Sequence, residues 1–225
     1  MSLVRAWDTF DVYLFDVDGT LIHCTDAVHY YAFCNALTTV ARFPMNLDGV
    51  VTHGNTDVGI LRDAFALAGI PEDHWRPQLL QIRERMCQEV ERNKSRLCAE
   101  VLPGVREVLL HLTGKGATLG VATGNLERIG RQKLAAAGLL DFFDFGAWSD
   151  PFESRVDVFR HAIQQIRSST RPNAEVLVLG DTPADVLAAR AHHLPVISVA
   201  TGIYTFEQLA ASKPSLCLHT LTELL

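Results

Sequence analysis

A doubly wound α/β fold with a helical insertion is predicted by three features of this 225-residue chain. Apolar runs at Val12 to Phe15, Ala117 to Ala122, Val176 to Leu179 and Val196 to Val199 read as short buried strands. Helical stretches separate the last three, which is the rhythm of βα units that build a parallel sheet. Residues 23–99, between the first run and the second, carry helical patterning and little strand signal. The expected layout is a Rossmann-like core from residues 1–21 and 100–225, with residues 22–99 inserted as an α-helical cap. At 48% hydrophobic residues the chain can bury a sizeable core.

Taken in order, the first strand runs into Asp16-Val17-Asp18-Gly19-Thr20-Leu21, where Gly19 lets the backbone turn sharply. A helix is expected from about Thr25 to Ala41, with Thr25 as N-cap and Asp26 in the first turn, broken by Arg42-Phe43-Pro44. His53-Gly54-Asn55-Thr56-Asp57 leads into a short helix ending near Gly69, a natural C′ glycine before Ile70-Pro71. Either Thr56 caps that helix or the segment faces a ligand. Glu72 to about Leu97 is charged and helical. Leu102-Pro103-Gly104 marks the return to the core, and helices follow at Val105 to Leu112, Leu126 to Ala137, Val156 to Ile166 and Thr182 to His192. Pro183 suits the first helical position, and Asp185 can close a capping box with Thr182. Lys133 is read as a surface residue of its helix, and His192-His193 as a helix end near the C-terminal dipole.

The residues with chemistry stand where the apolar runs stop, and ligands of open parallel sheets bind beyond the carboxyl ends of the strands. Asp16 and Asp18 would share one face of a continuing strand. Like charges that close repel, and burying either is costly, so a cation is expected beside them. Mg²⁺, a hard cation that prefers oxygen ligands, suits such a pair; an Asp-rich turn is the alternative. Thr123-Gly124-Asn125 offers a hydroxyl, a close-approaching backbone and an amide at a strand-to-helix junction, either an anion site or a helix cap. Thr182 and Asp185 have a capping role available, whereas Asp181 is an acid at the sheet's edge with none.

The run Asp16-Val17-Asp18-Gly19-Thr20-Leu21 after an aromatic strand resembles the first motif of the haloacid dehalogenase superfamily. Thr123-Gly124-Asn125 resembles the second, and Gly180-Asp181-Thr182-Pro183-Ala184-Asp185 the fourth. The resemblance spans nearly the full length and points to phosphoglycolate-phosphatase-like members with a helical cap. It implies an Mg²⁺-dependent phosphoric monoester hydrolase acting on small phosphoesters. Asp16 would be the nucleophile that forms an aspartyl-phosphate, and Asp18 the general acid and base. Thr123, Gly124, Asn125 and Arg155 would bind the phosphoryl oxygens. The metal would lie between Asp16, the Asp18 backbone carbonyl and Asp181, with Asp185 orienting a bound water or capping its helix. The third motif departs from the family pattern: between Trp148 and Phe159 there is no Lys, and Arg155 stands in its place. Arg can supply the charge bidentately but is not a simple substitute, and an exposed helix-start Arg is the alternative. A 2-haloacid dehalogenase would lack the second Asp, and a phosphonatase an Asp at position 18. A phosphomutase of the same superfamily, or a non-catalytic phosphate- or metal-binding regulatory protein, are the rival functions.

The net charge of −6 and the lack of a Lys/Arg run argue against a nucleic-acid partner. No apolar run reaches the roughly 18 residues of a membrane span, and no signal peptide is read at the start. Five cysteines without CxxC spacing suit reduced thiols and a cytoplasmic protein. Oligomeric state and the specificity residues of the cap have no signature in the sequence.

Overall fold

The computed structural model describes residues 6–169 and 173–225; residues 1–5, where a signal peptide would open, lie outside the described residues. In chain order the strands are β1 (Val12–Phe15), β2 (Ile22–Cys24), β3 (Ala99–Val101), β4 (Thr118–Ala122), β5 (Phe145–Ala147), β6 (Val176–Gly180), β7 (Val196–Val199) and β8 (Leu216–Leu218). Six of them form one sheet in the order β5-β4-β1-β6-β7-β8. Every pairing within that sheet is parallel. β1 is fully buried because both faces of the sheet are covered, so its sequence is apolar without alternation. Successive side chains still part to opposite faces. Tyr13 and Phe15 join Leu119, Val121, Leu177 and Leu179 in one layer, and Val12 and Leu14 join Val178 and Val196 in the other.

The order puts β1, first in sequence, between β4 and β6. The chain leaves β1 for one side of the sheet and later crosses to its other side, so a crevice opens beyond the carboxyl ends of these three strands. Asp16 N–H still donates to the Leu179 carbonyl at 2.9 Å, which fixes the residue at the last rung of the β1–β6 ladder.

Between β2 and β3 lie α1 (Val28–Ala41), α2 (Asp57–Leu67), α3 (Glu72–Trp75) and α4 (Leu79–Arg92). They share an apolar cluster in which Phe65 and Trp75 stack at 5.2 Å. The remaining helices are α5 (Val105–Gly114), α6 (Glu127–Ala136), α7 (Arg155–Ser169), α8 (Pro183–Ala191) and α9 (Phe206–Ala211). Leu126 and Ile129, at the start of α6, belong to the same apolar cluster as α1–α4, so the insertion packs on the sheet domain through α6. Arg128 bridges from α6 to Glu84 and Glu91 of α4, and Arg62 and Arg76 reach Glu153. No helix among the described residues is long and apolar enough to cross a membrane.

Several expectations are corrected here. Residues 23–99 are not wholly helical: β2 and β3 pair antiparallel as a two-stranded ribbon at the neck of the insertion. Three-residue strands whose edges face solvent have too short a pattern to register. α1 begins at Val28, not near Thr25, and its opening N–H is met by the Asp26 carboxylate at 2.8 Å. The 72–97 helix is several pieces, with Pro77 in a 3₁₀ turn between α3 and α4. β5, β8 and α9 were not anticipated.

Candidate active site

The loops that follow β1, β4, β5, β6 and β7 converge on the crevice. After β1, Asp16 is buried, and the chain turns at Gly19 with φ +82°. After β6, Asp181 and Thr182 are buried, and Thr182 caps α8 in a full capping box with Asp185. One ligand oxygen from each of Asp16, Asp181 and Asp185 lies within 4.8 Å of the others, and all three residues are buried. Arg155, the first residue of α7, is itself buried and answers part of this charge. Its guanidinium stands 2.8 Å from Asp16 Oδ1, out of hydrogen-bond alignment, and also pairs with Asp185, its Nε donating to Oδ1 at 3.0 Å. Asp185 Oδ2 meanwhile accepts from the Thr182 hydroxyl at 2.7 Å and the Thr182 N–H at 3.1 Å.

Three carboxylates facing one guanidinium leave a surplus of buried negative charge. Burial, only partly offset by Arg155, pushes the Asp16 carboxyl up to about 6. Burial, followed by the charges of Asp16 and Asp185, drives Asp181 well above the usual carboxylate range, although Thr20 donates to its Oδ1 at 3.1 Å. Asp181 is also walled in by backbone. A Cβ on Gly19 would stand 2.6 Å from its carboxyl carbon, and one on Gly202 would stand 2.9 Å from it. Oxygen-only donors with a charge deficit fit a hard divalent cation.

Asp18 belongs to a second pole. Its side chain turns from the carboxylate cluster toward α6, where Lys133 Nζ donates to Oδ1 at 2.9 Å and to Oδ2 at 2.8 Å. The third ammonium proton goes to Asn125 Oδ1 at 2.9 Å. Asn125 Nδ2 in turn donates to Asp18 Oδ2 and Thr123 Oγ1, at 2.8 and 2.9 Å. Burial alone would raise the Asp18 carboxyl, but the Lys133 ammonium and these hydrogen bonds outweigh it and hold it at about 2. Asp18 keeps 41% of its side-chain surface because it faces the cavity, whereas Lys133 keeps 5%.

The expectation that Lys133 is a surface residue is therefore wrong: it is buried and central. A signal was present, since Ile129, Gly130, Lys133 and Leu134 are all buried on α6, and their spacing marks a single helical stripe. Asn125, expected on the phosphate, has its side chain committed to Lys133, Asp18 and Thr123. Thr123 does not cap α6, whose N-cap is Leu126. Gly124 is required by the insertion: a Cβ there would overlap the Asn55 carbonyl, and the Gly124 carbonyl accepts from Asp57 N–H at 2.7 Å. Thr56 does cap α2, accepting from Gly59 N–H at 2.9 Å, while His53, Asn55 and Asp57 line the cavity beside it. The capping reading of that segment holds, and the same segment also borders the cavity. Gly202 carried no sequence signal beyond its place after a strand.

A sheet of this order, with acids after β1 and β6 and a polar turn after β4, gathers a set of carboxylates at the carboxyl edge of a parallel sheet, where ligands of such sheets bind. Comparison places it further. Residues 10–193 match the haloacid dehalogenase-like hydrolase family, and the chain belongs to that family. It is 28% identical to a Dickeya dadantii protein named "Probable phosphatase IndB", over 93% of this chain and 90% of that one. It is also 28% identical to a phosphoglycolate phosphatase of Caulobacter vibrioides, over 92% of this chain and 85% of the relative. The crystal structure of CbbY from Rhodobacter sphaeroides in complex with phosphate superposes with a TM-score of 0.66 over 96% of each chain. At 20% identity that match speaks for the fold.

Proposed function

We propose that this chain is an Mg²⁺-dependent phosphatase that hydrolyses small phosphomonoesters through an aspartyl-phosphate on Asp16, with residues 22–99 acting as the cap. The observation that carries the reading is the convergence of buried Asp16, Asp181 and Asp185 on Arg155, across the cavity from Asp18. Asp16 and Asp181 would hold the cation, with the Asp18 carbonyl as a further donor, and Asp185, whose oxygens already serve Thr182 and Arg155, would steady a bound water. When bound, Mg²⁺ supplies the positive charge that lets a phosphoryl dianion approach an ionised carboxylate.

Asp16 attacks phosphorus and takes the phosphoryl group as the ester oxygen departs. Arg155, 2.8 Å from Asp16, neutralises the equatorial oxygens, and Thr123 offers its hydroxyl from the turn after β4. Asp18, ionised in the resting site, takes a proton from solvent as substrate arrives and its contact with Lys133 loosens, and passes that proton to the leaving oxygen. It then accepts a proton from the water that cleaves the acyl-phosphate, a role its ionised state already suits. The insertion, docked through Asp57 on the Gly124 carbonyl, keeps bulk water away from the intermediate. Phosphate release from a panel of phosphoesters, with Mg²⁺ or with EDTA, tests the reading. Turnover is expected with Mg²⁺, lost with EDTA and lost in Asp16→Asn. A folded wild type that releases no phosphate from any ester would refute it.

A further inference from the structure

The cavity of about 260 Å³ between the insertion and the sheet edge has two unlike walls. The sheet side is charged. The opposite side presents Tyr30, Phe33, Leu47 and Ile60, together with His29, Thr52, His53, Asn55 and Asp57. Phe33, Leu47 and Ile60 are buried, whereas Tyr30 is 40% exposed at the rim. His29 stacks on Phe33 at 4.9 Å and stands 3.2 Å from Asp57, although its Nε2 makes no aligned hydrogen bond.

The cations on this lining are committed. The three protons of Lys133 go to Asp18 and Asn125, and Arg155 is shared between Asp16 and Asp185. No Lys or Arg of the described lining residues stands on the insertion's wall. A substrate whose leaving group carries its own negative charge, a carboxylate or a second phosphate, would bury that charge against aromatic and aliphatic side chains. Such a charge is costly unless it is paired.

Resting on the hydrolase reading above, we infer that the enzyme selects phosphomonoesters of uncharged, largely apolar alcohols of aryl or branched-alkyl kind, and discriminates against esters whose alcohol bears an anion. The phosphoryl end meets the charged wall, and the alcohol packs among Tyr30, Phe33, Leu47 and Ile60. The geometry thus separates this chain from the phosphoglycolate specificity that some relatives' names carry.

The test compares benzyl phosphate with 2-phosphoglycolate, both esters of primary alcohols, on wild type and Tyr30→Lys with saturating Mg²⁺. For wild type, kcat/KM for benzyl phosphate is expected to exceed that for phosphoglycolate by about tenfold or more, the scale of a hydrophobic-pocket preference. Tyr30→Lys adds a cation at the exposed rim and should narrow that ratio about tenfold while the protein stays folded. Phosphoglycolate turnover equal to or faster than benzyl phosphate would overturn the inference and leave the hydrolase reading standing. An unchanged ratio in Tyr30→Lys would overturn it too. No turnover of either ester, nor of any other monoester, would sink the hydrolase reading and this inference with it.

Discussion

Gly202→Ala offers a way to disturb the cation site without removing any atom that could bind there. Gly202 follows β7 and, like Gly19, borders Asp181 Oδ2; the Gly19 carbonyl accepts from the Thr201 hydroxyl at 2.6 Å. A Cβ on Gly202 would stand 2.9 Å from the Asp181 carboxyl carbon and closer still to Oδ2, whereas an ordinary van der Waals contact falls at 3.4–4 Å. Relief therefore needs a shift of roughly 1 Å or a rotation of the carboxylate, and a misplacement of that size costs about 10²-fold in a preorganised site. Retreat is blocked, since Thr20 donates to Oδ1 and Gly19 leaves no slack. The expected result is an apparent Mg²⁺ affinity for phosphate release weakened by about 10²-fold, with partial recovery at high Mg²⁺. Overpacking at one buried site should cost about 1–3 kcal/mol in urea unfolding. Steady-state phosphate release across a Mg²⁺ titration reads the first quantity. An Mg²⁺ curve superimposable on wild type would refute the claim that Asp181 is gripped by two glycines to serve a cation.

Lys133→Met should leave Asp18 with Asn125 as its remaining side-chain donor; kcat should fall more than KM rises, and urea unfolding should show a loss of about 1–3 kcal/mol, moderated because Asp18 faces solvent. Arg155→Ala strips the cation from buried Asp16 and Asp185, and denaturation should report a loss of about 3–5 kcal/mol together with lost turnover. Arg155→Lys should retain most of the stability but not the simultaneous grip on both acids, lowering kcat by about 10- to 10²-fold in the same phosphate-release assay. In EDTA, thermal unfolding should show stability falling as pH rises from about 4 to about 6. Asp16, raised from 3.8 to about 6, holds its proton in the folded state while the unfolded chain has released its own. The loss should be on the order of 3 kcal/mol, and Mg²⁺ at pH 7.5 should restore it.

The sheet could be read from the sequence because each central strand is a run of residues that fit only a surface covered on both sides. The acids of the candidate site could be read because they interrupt those runs. Asp16 after Phe15 and Asp181 after Gly180 are polar residues where nothing structural calls for them. Lys133 was harder for a physical reason: an amphipathic helix ordinarily turns its lysines outward, and inward placement requires knowing that Asp18 waits on the facing loop. The β2–β3 ribbon escaped because Ile22 pairs with Val101, some eighty residues away, and three residues carry no period. Gly202 escaped because its meaning lies in the neighbour it spares, not in its own turn.

The two cations divide the site's electrostatics between them. Arg155 is planar and can face Asp16 and Asp185 at once, so it locks the nucleophile to the helix that carries the neighbouring acid. Lys133 is a compact charge with three donors, all spent on one carboxylate and the amide that flanks it. On the proposed mechanism Arg155 would serve the pole where charge must stay fixed while phosphorus changes partners. Lys133 would serve the pole where a proton must come and go. Exchanging their identities would fail at both places, since an ammonium at 155 cannot span two acids and a guanidinium at 133 would overfill the buried stripe of α6. Before α7 the chain carries Arg155 and no Lys. The positive charge there is kept by Arg155, and a separate lysine on α6 holds Asp18 ionised.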